Sequence, residues 1–144
     1  MTTHVLLVDD NASRSAERRH YLAGAGVEVM NACEGHEAIE FIQSHRVDVV
    51  CIHAQFVVNR GSEIGTFFKC LKPFVPVILI ADDNWVPGHF EESVDIVIDR
   101  ADFDLAGRRL VQELNRGHVL FFRRWFDECA DRASKSEREI IHMC

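Results

Sequence analysis

Short runs of aliphatic and β-branched residues alternate along the chain with longer stretches in which apolar side chains return at helical spacing. Residues 4–8 read as a buried strand that stops at Asp9-Asp10-Asn11. Asp10 or Asn11 caps a helix from Ala12 to about Ala23, and Gly24-Ala25-Gly26 supplies its stop. Residues 27–32 form a second strand, and Gly35-His36 opens a helix with Ala38, Ile39, Phe41 and Ile42 on its apolar side. The run over residues 47–53 ends abruptly at His53 and reads as a strand covered on both faces. A loop through Gly61 follows, then a helix over about 62–71 with Ile64, Phe67, Phe68 and Leu71 inward, broken by Lys72-Pro73. Residues 77–81 and 94–98 are the last two strands. A short, weak helix lies over 87–93, and a longer one over about 103–115.

Strand and helix in strict alternation call for right-handed crossovers and a parallel sheet with helices on both faces. The expectation is a three-layer α/β/α sandwich with a five-stranded parallel sheet, spanning residues 1–117. In that architecture His53 sits at the carboxyl end of a central strand, where open sheets place their ligand sites. Residues 118–144 break the alternation. Phe122, Trp125, Phe126, Cys129, Ala130 and Ala133 form one helical stripe, so this segment is expected to be an extra carboxyl-terminal helix. Phe121, Phe122, Trp125 and Phe126 make it a dimerisation or linker helix in preference to one packed on its own domain.

Composition narrows the classes. A net charge of −7 argues against a nucleic-acid surface, and no apolar run approaches the length of a membrane span. The amino terminus lacks a basic leader, and the five cysteines (Cys33, Cys51, Cys70, Cys129 and Cys144) show no C-x-x-C spacing. A cytoplasmic protein without disulfides or zinc is expected, with Cys33, Cys51 and Cys70 in apolar surroundings. The loop Asp9-Asp10-Asn11-Ala12-Ser13 lacks glycines to cradle a phosphate, which disfavours flavodoxin-like cofactor binding.

The order of these landmarks resembles the receiver domain of two-component response regulators over about residues 4–117. The acidic pair Asp9-Asp10 after the first strand is similar to the family's magnesium-binding pair. The run Asp48-Val49-Val50-Cys51-Ile52-His53 resembles the strand that carries the phospho-acceptor aspartate, and Gly61 stands eight residues later, as in the family. Residues 76–81 resemble the fourth strand and 94–100 the fifth. The resemblance also implies departures: His53 replaces the acceptor aspartate, Ala81 the hydroxyl residue and Arg100 the lysine. Val97 stands where an aromatic switch residue is usual, and Val57 where a proline is. Magnesium prefers hard oxygen ligands, an acyl phosphate needs a carboxylate, and a guanidinium fork does not reproduce a lysine point charge.

Three readings of His53 stand open. In the first it pairs with Asp9, Asp10 or both, stays protonated longer beside those anions, and fills the magnesium pocket. In the second it joins the aspartates as a transition-metal ligand; in the third it is itself phosphorylated. The first carries the most weight. Asp82, Asp83 and Asp99 complete an acidic rim, and Arg100 is expected to pair with one of these acids and lock the loop. His89, His118 and His142 read as surface residues.

The expectation is therefore an atypical receiver domain, not an enzyme, with no cofactor and no magnesium. It would signal by contact with a signalling protein or output domain, through the face made by residues 87–93, the last strand and the helix after it, together with the added carboxyl-terminal helix. A homodimer through the carboxyl-terminal helix belongs to the same reading. The alternatives are a metal- or phosphate-responsive regulator using Asp9, Asp10 and His53, and a dimerisation module of a larger regulator.

Overall fold

The computed structural model describes residues 2–24, 26–60, 64–82 and 94–115. Five parallel strands, β1 (Thr3–Val8), β2 (Val27–Ala32), β3 (Val49–His53), β4 (Val77–Ala81) and β5 (Ile96–Asp99), form one sheet in the order β2-β1-β3-β4-β5. The helices are α1 (Ala12–Leu22), α2 (Gly35–Ser44), α3 (Ala54–Arg60), α4 (Ile64–Leu71) and α5 (Arg100–Asn115). Strand side chains alternate between two cores, as the pleat requires. Leu6, Val8, Val50, Ile52 and Leu79 pack with Ile42, Phe56 and Phe68 from α2, α3 and α4. Val5, Leu7, Cys51, Ile78 and Ile98 pack with Leu22 of α1 and Phe103, Leu110 and Val111 of α5. The sandwich is the one the sequence pattern predicts.

The register places the site. Val8 pairs with Ile52, His53 with Ile80, and Ala81 with Asp99, so the carboxyl ends of four strands form one rim. Asp9, His53, Asp82 and Asp99 all lie at or just beyond that rim.

Several boundaries differ from the sequence reading. The stretch after His53 is helix from Ala54, because Phe56 and Val57 both gain buried positions in the core that a loop would forfeit. Phe67 and Leu71 face out, while Ile64, Gly65 and Phe68 face in. Helix α5 begins at Arg100, its entry shaped by Asp99, whose carboxylate accepts from the Ala101 amide at 2.8 Å. Cys33 and Cys70 are exposed, whereas Cys51 is buried and burial pushes its thiol up to about 12. The expected helices over 87–93 and 118–144 fall outside the described residues, and with them Phe122, Trp125, Phe126 and Cys129. None of the described helices is long and apolar enough to cross a membrane.

Helices α1 and α5 are held together closely. A Cβ on Gly107 would stand 3.2 Å from the Phe103 ring and 3.3 Å from Leu22, so the glycine permits tight approach. Helix α1 ends at Leu22 with extended Ala23 as its cap, just before the expected Gly24-Ala25-Gly26 stop, in which the left-handed residue is Gly26, at φ 83. The freed carbonyls are met from α5. Arg108 donates to Leu22 O (3.2 Å), Tyr21 O (3.2 Å) and Ala23 O (2.9 Å), a cation at the negative end of the α1 dipole. Arg108→Ala is expected to lower stability by about 1–2 kcal/mol, read by urea denaturation, since those carbonyls then depend on water.

Candidate functional site

Strand β1 ends at Asp9, whose amide donates to Ala32 O at 3.0 Å and whose side chain is fully buried. A buried carboxylate is costly unless its oxygens are met. Here the Asn11 amide donates to Oδ1 at 3.0 Å, and Arg14 grips both oxygens, Nε to Oδ2 at 2.7 Å and NH2 to Oδ1 at 2.6 Å. This fork-to-fork pairing is the strongest geometry available to the two groups. Asn11 caps α1, its side chain accepting from the Arg14 amide at 2.9 Å. Helical side chains lean back towards the amino terminus, so Arg14 and Arg18, one turn apart, both reach back to the end of β1. Arg18 NH1 stands 3.6 Å from Asp9 Oδ2, and Arg14 NH2 stands 3.7 Å from Asp10. The Asp9 hydrogen bond raises the Arg14 pKa, whereas burial lowers that of Arg18.

His53 is buried, and both ring nitrogens are engaged. Nδ1 accepts from the Gln55 amide at 3.2 Å, capping the start of α3. That leaves the proton on Nε2, which donates to Asp82 Oδ1 at 3.2 Å. Burial first, and then the Arg18 charge, push the His53 pKa down, so the ring is neutral at physiological pH. The expectation that His53 would pair with Asp9 or Asp10 and stay protonated is corrected on both counts. Asp9 is taken by arginines, and their charge opposes a second cation.

The other expected residues are placed as follows. Asp10 is half-buried beside Arg14. Ala81 is buried at the end of β4, opposite Asp99. Val97 pairs with Leu79 and packs half-buried against the α2–α3–α4 core. Arg100 is exposed on the first turn of α5, where its charge acts on Asp104, so it is not the cation of the pocket. Asp83, Gly61, His89, His118 and His142 lie outside the described residues.

The sequence reading missed Arg14 and Arg18. The available signal was spacing: Ser15, Arg18 and Leu22 are the buried positions of α1, which puts Arg18 on the inward face. Among the described residues, no three His, Cys, Asp or Glu side chains stand together as a group that could hold a metal ion. The residues present do not fit magnesium, because both Asp9 oxygens already accept guanidinium donors and His53 Nε2 carries a proton.

The His53 pKa sets a pH dependence. A histidine depressed in the folded state contributes stability that is whole above its unfolded value, near 6.5, and that is lost as pH falls through that value towards the folded one. Urea denaturation between about pH 7.5 and pH 5 should show the chain losing more stability than His53→Gln, which keeps an N–H for Asp82. Equal losses would mean that His53 is not held neutral.

No family model matches the chain. It is 27% identical over 136 residues to the autoinducer 1 sensor kinase/phosphatase LuxN of Vibrio campbellii, covering 94% of this chain and 15% of that protein. It is 26% identical over 120 residues to the transcriptional regulatory protein ZraR of Escherichia coli O157:H7, covering 81% of this chain and 27% of that protein. The chain thus spans well under a third of either relative. Among solved structures, a response regulator receiver domain protein from Clostridium thermocellum superposes with a TM-score of 0.69 at 17% identity, over 83% of this chain and 98% of that one. The sheet order, the helices on both faces and this superposition give the chain the fold of response regulator receiver domains.

Proposed function

We propose that the chain is an atypical receiver domain of a two-component signalling system that acts by protein–protein contact and carries no aspartyl phosphorylation. The observation that carries this reading is the state of the pocket. The carboxyl end of β3 presents a neutral histidine bonded at both nitrogens, and the carboxylate at the end of β1 is closed by a bidentate arginine. A phosphoryl group would need a carboxylate at position 53, a metal on Asp9 and a hydroxyl at position 81; this chain offers His53, Arg14 and Ala81 in those places. The internal guanidinium supplies the positive charge a metal would have brought, and does so permanently. No catalytic residue is assigned, and the domain is read as a binding module rather than an enzyme.

The names of the relatives, a sensor kinase/phosphatase and a transcriptional regulatory protein, support a place in signal transduction. The partner in this reading is a signalling protein or an output domain. The candidate surface includes β5 and α5, where Leu105 is exposed.

The test is titration of the full chain with magnesium and then beryllofluoride at millimolar concentration, following the amides of Asp9, His53, Ala81 and Arg100. No saturable shift is expected, and a saturable shift at Asp9 and His53 would overturn the reading. His53→Asp alone should remain silent, whereas His53→Asp with Arg14→Ser should gain magnesium-dependent shifts. If the single change sufficed, Arg14 would not be what excludes the metal.

A further inference from the structure

The largest fully buried side chain on the α1–α5 side is also the one least well met. Arg18 is 2% exposed, yet Nε, NH1 and NH2 make no hydrogen bond. Its guanidinium lies between two carboxylates and touches neither: NH1 is 3.6 Å from Asp9 Oδ2, and Nε is 3.9 Å from Asp104 Oδ1. Asp104 Oδ1 is likewise buried without a partner, as is Ser15 Oγ one turn before Arg18. Asp9, by contrast, is saturated by Arg14.

We propose that Arg18 is a two-position electrostatic coupler, shared between Asp9 in the rim pocket and Asp104 on α5, so that a change in what neutralises Asp9 is relayed to the α1–α5 face. The argument is one of competing partners. An unpaired guanidinium in the interior gains most by closing on a carboxylate, and either carboxylate is less than an ångström from hydrogen-bond distance. What holds Arg18 off Asp9 is the bidentate grip of Arg14, which leaves Asp9 little need of a second cation. With Arg14 in place Arg18 stands between the two carboxylates, 3.6 Å from Asp9 and 3.9 Å from Asp104, bonded to neither. When Arg14 leaves Asp9, Arg18 replaces it and Asp104 loses its cation. The other charged groups acting on Asp104 are Arg100, Glu17 and Asp99, and those acting on Arg18 include Asp82 and Arg14. Among the described residues, only Arg18 lies between the two carboxylates at salt-bridge distance from both. This inference does not require the signalling role proposed above, only the pocket geometry.

The experiment reads the Asp104 carboxyl pKa by carbon-detected NMR titration in the full-length chain. Asp104 already sits above the usual carboxylate range through burial, with Arg18 the chief opposing influence. Arg14→Met should raise it further, by about half a unit or more, because Arg18 moves away to Asp9. In an Arg18→Met background the Arg14→Met change should leave Asp104 unmoved. An unchanged Asp104 in Arg14→Met alone would overturn the proposal, and so would an equal rise in the Arg18→Met background, which would mean direct action of Arg14 at a distance. Should Arg18→Met fail to fold, Arg18→Lys serves in its place, since the shorter point charge cannot span both carboxylates and should shrink the Arg14→Met response.

Discussion

The bidentate pair between Asp9 and Arg14 is the interaction on which the rest of the rim depends. Asp9 is buried at the end of a central strand, and an ionised carboxylate there is tolerable only with a cation and full hydrogen bonding. The chain provides both internally: the Asn11 amide and the Arg14 fork meet the oxygens, and Asn11 in turn caps the helix that delivers Arg14. Strand end, helix start and charge compensation are therefore one local unit. Because the cation of the pair comes from the chain itself, the pocket carries its own neutralising charge, which separates it from a site whose charge is supplied by a ligand.

That fixed charge explains His53. Two guanidinium groups lie near it, and with burial they oppose protonation more strongly than Asp9 and Asp82 favour it. A neutral imidazole has one donor and one acceptor, and the rim uses each once: Nδ1 starts α3 and Nε2 holds Asp82 at the end of β4. The residue where phosphoryl chemistry would be sought becomes a fastener between β3, α3 and the β4 loop. The charge state of His53 depends on neighbours from α1 that the sequence reading did not bring in.

What the sequence made legible follows from periodicity. Runs such as Val49–His53 and Val77–Ala81 can be little else than strands buried on both faces, and their alternation with helical spacing leads to the sandwich without further information. The helix at Ala54–Arg60 was hidden because Phe56, Val57 and Val58 carry strand propensity, and only the core says that Phe56 and Val57 are buried while Val58 is not. Arg14 and Arg18 were hidden for a different reason. Arginines in a helix otherwise rich in polar residues read as a solvated face, and the inward set of Ser15, Arg18 and Leu22 is too polar to register as apolar periodicity. A buried polar stripe becomes visible only when the residue it serves, Asp9, is known to be buried too.

The same contrast separates the two sides of the sheet. The α2–α3–α4 side is closed by apolar packing around Phe56 and Phe68, whereas the α1–α5 side combines Leu22, Phe103 and Leu110 with a buried guanidinium and its carboxylates. An apolar contact weakens gradually as surfaces slide, whereas an ion pair depends steeply on which carboxylate the cation closes on. In a fold whose helices otherwise pack through apolar side chains, the α1–α5 seam is where the proposed relay from the rim would act. Arg108 bonds the last carbonyls of α1 and Gly107 leaves room for Leu22, so the two helices are tied at the carboxyl end of α1. The buried ion lies nearer the rim.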